Sequence, residues 1–166
     1  GPDEDQCRSA AASTVEAVGQ LDIVLNNAGV MLLGAIEGAD TEDWRRMIHT
    51  NVLGLMYVTH AALPHLLASK GTLVNVSSVA GRVARFGSGV YNASKWGVNA
   101  FSESLRQEVT SRGVRVVLIE PGMVATELAD HLPHPAPKDM LAQRTAHTPP
   151  PESADTARPA GRWSGA

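Results

Sequence analysis

The sequence is poor in cysteine, in aromatic side chains and in clustered charge, and each shortage removes a class of function. A single cysteine, Cys7, stands in 166 residues, so no internal disulfide can form. Its place on the apolar side of a helical pattern marks it as a small buried hydrophobe rather than a reactive thiol. Three Trp, two Tyr and two Phe, with 14 basic against 17 acidic residues and no basic block, leave nothing to track a nucleic acid. No apolar run approaches the roughly 18 residues that span a bilayer. The start, "GPDEDQ", lacks the positive end and apolar centre of a signal peptide, so no membrane partner and a cytoplasmic location are expected. His131, His134 and His147 sit among prolines without convergent acids or cysteine, so no metal site is expected.

What is present is a 43% hydrophobic chain long enough for one domain with a core. Apolar residues recur at Cys7, Ala11, Val15 and Val18, predicting a helix from Asp3 that Gly19 ends. "LDIVLNNAG" is a short buried strand running into a loop. Asp40 or Thr41 then caps a long helix reaching about Leu67. "GTLVNVSS" is a second strand, "VYNASKWGVNAFSESLRQEVTSRG" a helix stopped by Gly113, and "VRVVLIEPG" a third strand. Alternating strands and helices, with strands apolar on both faces, predict a doubly wound parallel sheet of the α/β class. Order stops after Leu128. Residues 3–132 read as the ordered portion and 133–166 as a Pro-rich disordered tail, since seven of the ten prolines fall there.

Ligands of open parallel sheets bind at the carboxyl ends of the strands. Those ends carry "NNAG", "SS" and "PG", with "YNASK" opening the helix after the second. Tyr91 and Lys95, four apart, share one helix face. A phenol with pKa about 10 is a poor base near neutrality, and a neighbouring ammonium lowers that value. Such a pair suits proton transfer to or from a carbonyl oxygen.

The motifs "NNAG" (Asn26 to Gly29), "NVLG" with Asn51, "NVSS" with Ser77 and Ser78, "YNASK", and "PGMVAT" (Pro121 to Thr126) closely resemble those of the short-chain dehydrogenase/reductase family, in its single-domain branch. The resemblance runs from about Asp3 to Leu128. It implies a Rossmann-like fold and an NAD(P)-dependent oxidoreductase interconverting a small-molecule alcohol and carbonyl. Tyr91 would be the acid/base, and Lys95 would tune it and bind the nicotinamide ribose. Ser78, thirteen residues before the tyrosine, would hydrogen-bond the substrate oxygen, with Ser77 supporting the strand end. Asn51 would hold a water connecting the lysine to solvent. The Asn27, Ala28, Gly29 loop would stabilise the central sheet and border the cofactor, and Pro121, Gly122 and Thr126 would touch the nicotinamide side. Arg82, Arg85 and Phe86 are offered to the substrate.

The wording "NNAGVMLLG" is similar to members acting on small hydroxy acids and aldehydes with NADP, which leans the cofactor to NADP over NAD. The family's two long helices pair across subunits, implying a homodimer or homotetramer. Tyr91, Lys95, Asn99 and Ser102 form one polar stripe expected to face the cofactor. The family's glycine-rich first strand, turn and helix, which cradle the pyrophosphate, have no counterpart here. The expected fold is therefore a partial Rossmann-like sheet, and the chain alone is expected to be inactive. The alternative is a non-catalytic remnant, or a dimerisation fragment, that binds no cofactor.

Overall fold

The computed structural model describes residues 3–122; Thr126, His131 and the Pro-rich tail with His134 and His147 lie outside them. Helix α1 (Glu4–Val18) starts where the Asp3 carboxylate accepts from the amides of Asp5 and Gln6, and ends at Gly19, whose φ of 89° suits glycine. Cys7, expected buried, is only half-buried, because α1 packs mainly on one neighbouring helix and buries none of its residues fully. Desolvation first, then the carboxylates of Asp3 and Glu4, push its thiol pKa up.

Strand β1 (Ile23–Asn26) leads through a loop to α2 (Thr41–Ile48), which Asp40 caps through the Glu42 amide. The helix continues through a π-helical stretch, His49–Gly54, into α3 (Leu55–Ser69). Pro64 is accommodated inside α3. This 29-residue rod from Thr41 to Ser69 has the length and apolar composition to cross a membrane, contrary to the expectation that no run does. Its inner face instead packs on α1, β1 and β2. Strand β2 (Thr72–Val76), a 3-10 turn (Val79–Gly81), α4 (Gly89–Val109), a second 3-10 turn (Thr110–Arg112) and β3 (Arg115–Ile119) complete the described chain.

The three strands are parallel in the order β1-β2-β3. The register aligns Val24, Leu73 and Val116 in one row, and Asn26, Asn75 and Leu118 in another. These rows form the covered face, where Leu73 joins Ala62 and Leu66 of α3, Leu105 and Val109 of α4, and Val114 in the main core. Two-residue alternation puts Ile23, Leu25, Val117 and Ile119 on the opposite face, where they are 67%, 59%, 41% and 45% exposed. The expectation of helices on both faces is therefore met on one face only among the described residues.

Candidate active site

Tyr91 sits in the first turn of α4 and is 8% exposed, its ring packed with Leu33 and Met47 in a second apolar cluster that Trp44 and Val90 flank. One turn on, Lys95 is 6% exposed, with Nζ 5.9 Å from the Tyr91 ring centroid. Its Nζ donates to the Val76 carbonyl at 3.0 Å. No ion pair among the described residues includes Lys95. Burial disfavours the charged form and lowers its pKa from 10.5 to about 8.

Asn51 approaches from the π-helical stretch and is 2% exposed. Its Oδ1 accepts from the Val30 amide (2.8 Å), while Nδ2 donates to the Val30 carbonyl (2.9 Å) and to Ser94 Oγ (3.1 Å). Both amide protons are thus engaged, and a water beside it could use only the remaining lone pair of Oδ1. Asn51 Oδ1 also borders a narrow gap. A Cβ built on Gly29 would lie 3.4 Å from Asn51 Oδ1 and 3.7 Å from Lys95 Nζ, so the bare glycine keeps open the space between them. π-Helical turns occur often at functional sites, and this one delivers Asn51.

Ser78 caps the 3-10 turn after β2, its Oγ accepting from the Ala80 amide at 3.1 Å. The next residue, Val79, donates its amide to the Pro121 carbonyl at 3.1 Å, so the ends of β2 and β3 meet here. Ser77 is buried and donates to Asn99 Oδ1, as a residue supporting the strand end should. Pro121 is half-buried, Gly122 exposed, and both lie just beyond β3.

Two expectations are corrected. Asn27 and Ala28 are exposed, and the residue that ties the sheet together is Asn26. Its Nδ2 donates to Thr59 Oγ1 of α3 (3.2 Å) and to Asn75 Oδ1 of β2 (2.9 Å), and Asn75 Nδ2 donates in turn to Ser102 Oγ of α4 (2.9 Å). Two-residue alternation puts Asn26 on the face of Val24, but Ile23, Val24 and Leu25 are all apolar, so the sequence alone does not say that this face is the inner one. The polar stripe of α4 also divides. Lys95 belongs with Tyr91, but Ser102 ends in the buried chain just described and Asn99 binds Ser77, Gly81 and Glu120. Ser94 and Asn92, both inside "YNASK" and both buried, were given no role from sequence.

The short chain dehydrogenase family profile matches residues 2–136. Serine 3-dehydrogenase of Agrobacterium fabrum is 41% identical over 127 residues, covering 75% of this chain and 51% of that protein. Sulfoacetaldehyde reductase of Chromohalobacter salexigens is 43% identical over 128 residues, 75% of this chain and 51% of that protein. The solved structure of ElxO with NADP bound superposes with a TM-score of 0.74 at 31% identity, covering 77% of this chain and 52% of that one. The chain spans about half the length of the curated relatives it matches. With a three-stranded parallel sheet and "YNASK" at its rim, the chain belongs to the short-chain dehydrogenase family.

Proposed function

We propose that this chain is the catalytic portion of an NAD(P)-dependent oxidoreductase that reduces a small carbonyl to an alcohol and runs the reverse reaction. The observation that supports it most is the buried Lys95 ammonium, held among the described residues by one backbone carbonyl, 5.9 Å from the Tyr91 ring. One of its three N–H donors is used by Val76, which leaves two for ribose hydroxyls. The uncrowded edge at Gly29 beside it fits the same group. A nicotinamide held there would supply, or in reverse take up, the hydride of the carbonyl carbon.

The protein's own part is proton handling and positioning. The Tyr91 hydroxyl gives its proton to the oxygen that becomes the alcohol, and the Lys95 ammonium stabilises the phenolate left behind. The Ser78 hydroxyl, which accepts from the Ala80 amide at the strand end, donates its own proton in a hydrogen bond to that oxygen. Asn51 Oδ1 and Lys95 Nζ face the gap at Gly29, through which a water can return the proton from solvent. NADP is the favoured cofactor, supported by the loop wording after β1 and by the NADP-bound relative. Small substrates carrying an anionic group are favoured by the activities that the serine dehydrogenase and sulfoacetaldehyde reductase relatives are named for.

Turnover of a full-length protein carrying this chain, followed by NADPH and NADH absorbance with 3-hydroxy acids and sulfonated aldehydes, tests the reading. Oxidation or reduction of the nicotinamide that depends on substrate is expected. Absence of turnover with both cofactors across both substrate classes overturns it.

A further inference from the structure

The segment Ala80 to Arg85, which starts two residues after Ser78, is fastened to α4 at four of its six residues, Ala80, Gly81, Val83 and Arg85. Asn92, 5% exposed, donates through Nδ2 to the carbonyls of Ala80 (2.7 Å) and Val83 (2.8 Å) and accepts at Oδ1 from the Arg85 amide (3.3 Å). Two turns later Asn99 donates to the Gly81 carbonyl (3.1 Å) and to Glu120 Oε1 (2.7 Å). Glu120 closes the circuit by receiving Arg82 Nε at 2.8 Å. The segment lies flush on the helix: a Cβ at Gly81 would come within 2.7 Å of Asn99 Nδ2 and 2.9 Å of the Lys95 carbonyl. An exposed loop of this length needs none of these bonds to satisfy its backbone, because water would do so.

We propose that Asn92, together with the Asn99–Glu120–Arg82 chain, positions the segment 80–85 as a rigid substrate-side wall beside Tyr91, so that these are positioning residues for the reaction. The inference rests on the oxidoreductase reading above. Asn92 follows Tyr91 directly, and Ser78 opens the turn that leads into the wall, so one helix turn sets the acid and the wall against each other. The same bonds divide the labour of the arginines. Arg82 is consumed by Glu120, whereas Arg85 makes no ion pair among the described residues and Phe86 is 79% exposed. Substrate contact on this side therefore falls to Arg85 and to Phe86, the residue just after the wall.

Two measurements on a full-length protein carrying the chain decide it, with Asn92→Ala, Asn92→Asp and Glu120→Gln. Asn92→Asp keeps the acceptor for Arg85 but sets a carboxylate against two carbonyl oxygens, so it should behave like Asn92→Ala. The expected result is a KM for the carbonyl substrate raised about tenfold, equal to one or two net hydrogen bonds, with the KM for NADPH within about twofold of the parent. Amide exchange should also quicken in residues 82–85 relative to β2. Unchanged exchange there, or both KM values moving together, overturns the proposal. Should the parent show no turnover at all, the oxidoreductase reading falls, and the exchange measurement alone supports or overturns the clamp.

Discussion

Asn51 grips Val30 twice, accepting from its amide at 2.8 Å and donating to its carbonyl at 2.9 Å. With the further bond to Ser94, whose hydroxyl donates to the Tyr91 carbonyl at 2.7 Å, one side chain joins the π-helical stretch, the loop after β1 and the first turn of α4. Asn51→Asp keeps one acceptor, loses both donors and turns a carboxylate toward the Val30 carbonyl. The expected cost is about 2–3 kcal/mol of stability, the penalty for unpaired buried polar groups. Urea denaturation of parent and variant measures it, and a difference below about 0.5 kcal/mol, the range of ordinary surface substitutions, contradicts the assigned role.

Gly29→Ala tests the gap between Asn51 and Lys95. The added methyl would sit at 3.4 Å and 3.7 Å from their polar atoms, tight enough to displace a water without forcing the backbone. Stability should stay within about 1 kcal/mol of the parent. Turnover should fall by about tenfold or more, since proton return to the tyrosine is impeded. Undiminished turnover would show that no water in this gap carries the proton.

Tyr91→Phe removes the transferable proton and little else, because the ring keeps its packing against Leu33 and Met47. Turnover should drop at least about 100-fold, the usual contribution of a general acid. NADPH affinity, read by fluorescence titration, should remain near the parent value. Activity within about threefold of the parent would remove Tyr91 from the mechanism.

The lysine makes a pH prediction with a definite sign. Folding lowers the Lys95 pKa from 10.5 to about 8 through burial. Between these values the unfolded chain binds a proton that the folded chain has released, so stability rises with pH through this window. Below about 8 both states are charged and the burial penalty is felt in full. The stability of the parent relative to Lys95→Met should therefore increase from pH 7 toward pH 10. A flat difference across that range would mean that the ammonium is better solvated than its 6% exposure implies.

The parts of this molecule legible in the sequence are those written locally. Asp40 was one of two cap candidates the sequence offered for α2, and Gly113 announced its left-handed turn, with φ of 90°, whereas Asp3, read as the first helical residue, is the cap of α1. That Tyr91 and Lys95 lie side by side followed from their helical spacing. What stayed hidden depends on partners distant in sequence. Asn26 and Asn27 are adjacent and chemically identical, and only the pairing of β1 with β2 decides which one is buried. Asn99 looks like another rung of the catalytic stripe until Glu120, arriving from β3, claims it. The bare sheet face was hidden for a different reason. Ile23, Leu25, Val117 and Ile119 are as apolar as their inward neighbours, so the pattern carries no signal of which face the described helices cover.

The outer surface of α4 bears on assembly. Trp96 is 52% exposed, a large apolar group on the helix that carries the site. Phe101, by contrast, is partly buried against the main core. If a full-length protein carrying this chain associates through its two long helices, as the family resemblance implies, burying Trp96 would remove much of its apolar area from water at about 25 cal/mol per Å². The two aromatics then make a discriminating pair. Trp96→Glu should leave the fold intact and shift a dimer or tetramer toward smaller species in sedimentation velocity. Phe101→Glu should instead unfold the protein, since a charge placed against Leu105 and Leu66 has no partner there. An oligomer untouched by Trp96→Glu places the interface elsewhere, and a monomeric parent denies it altogether.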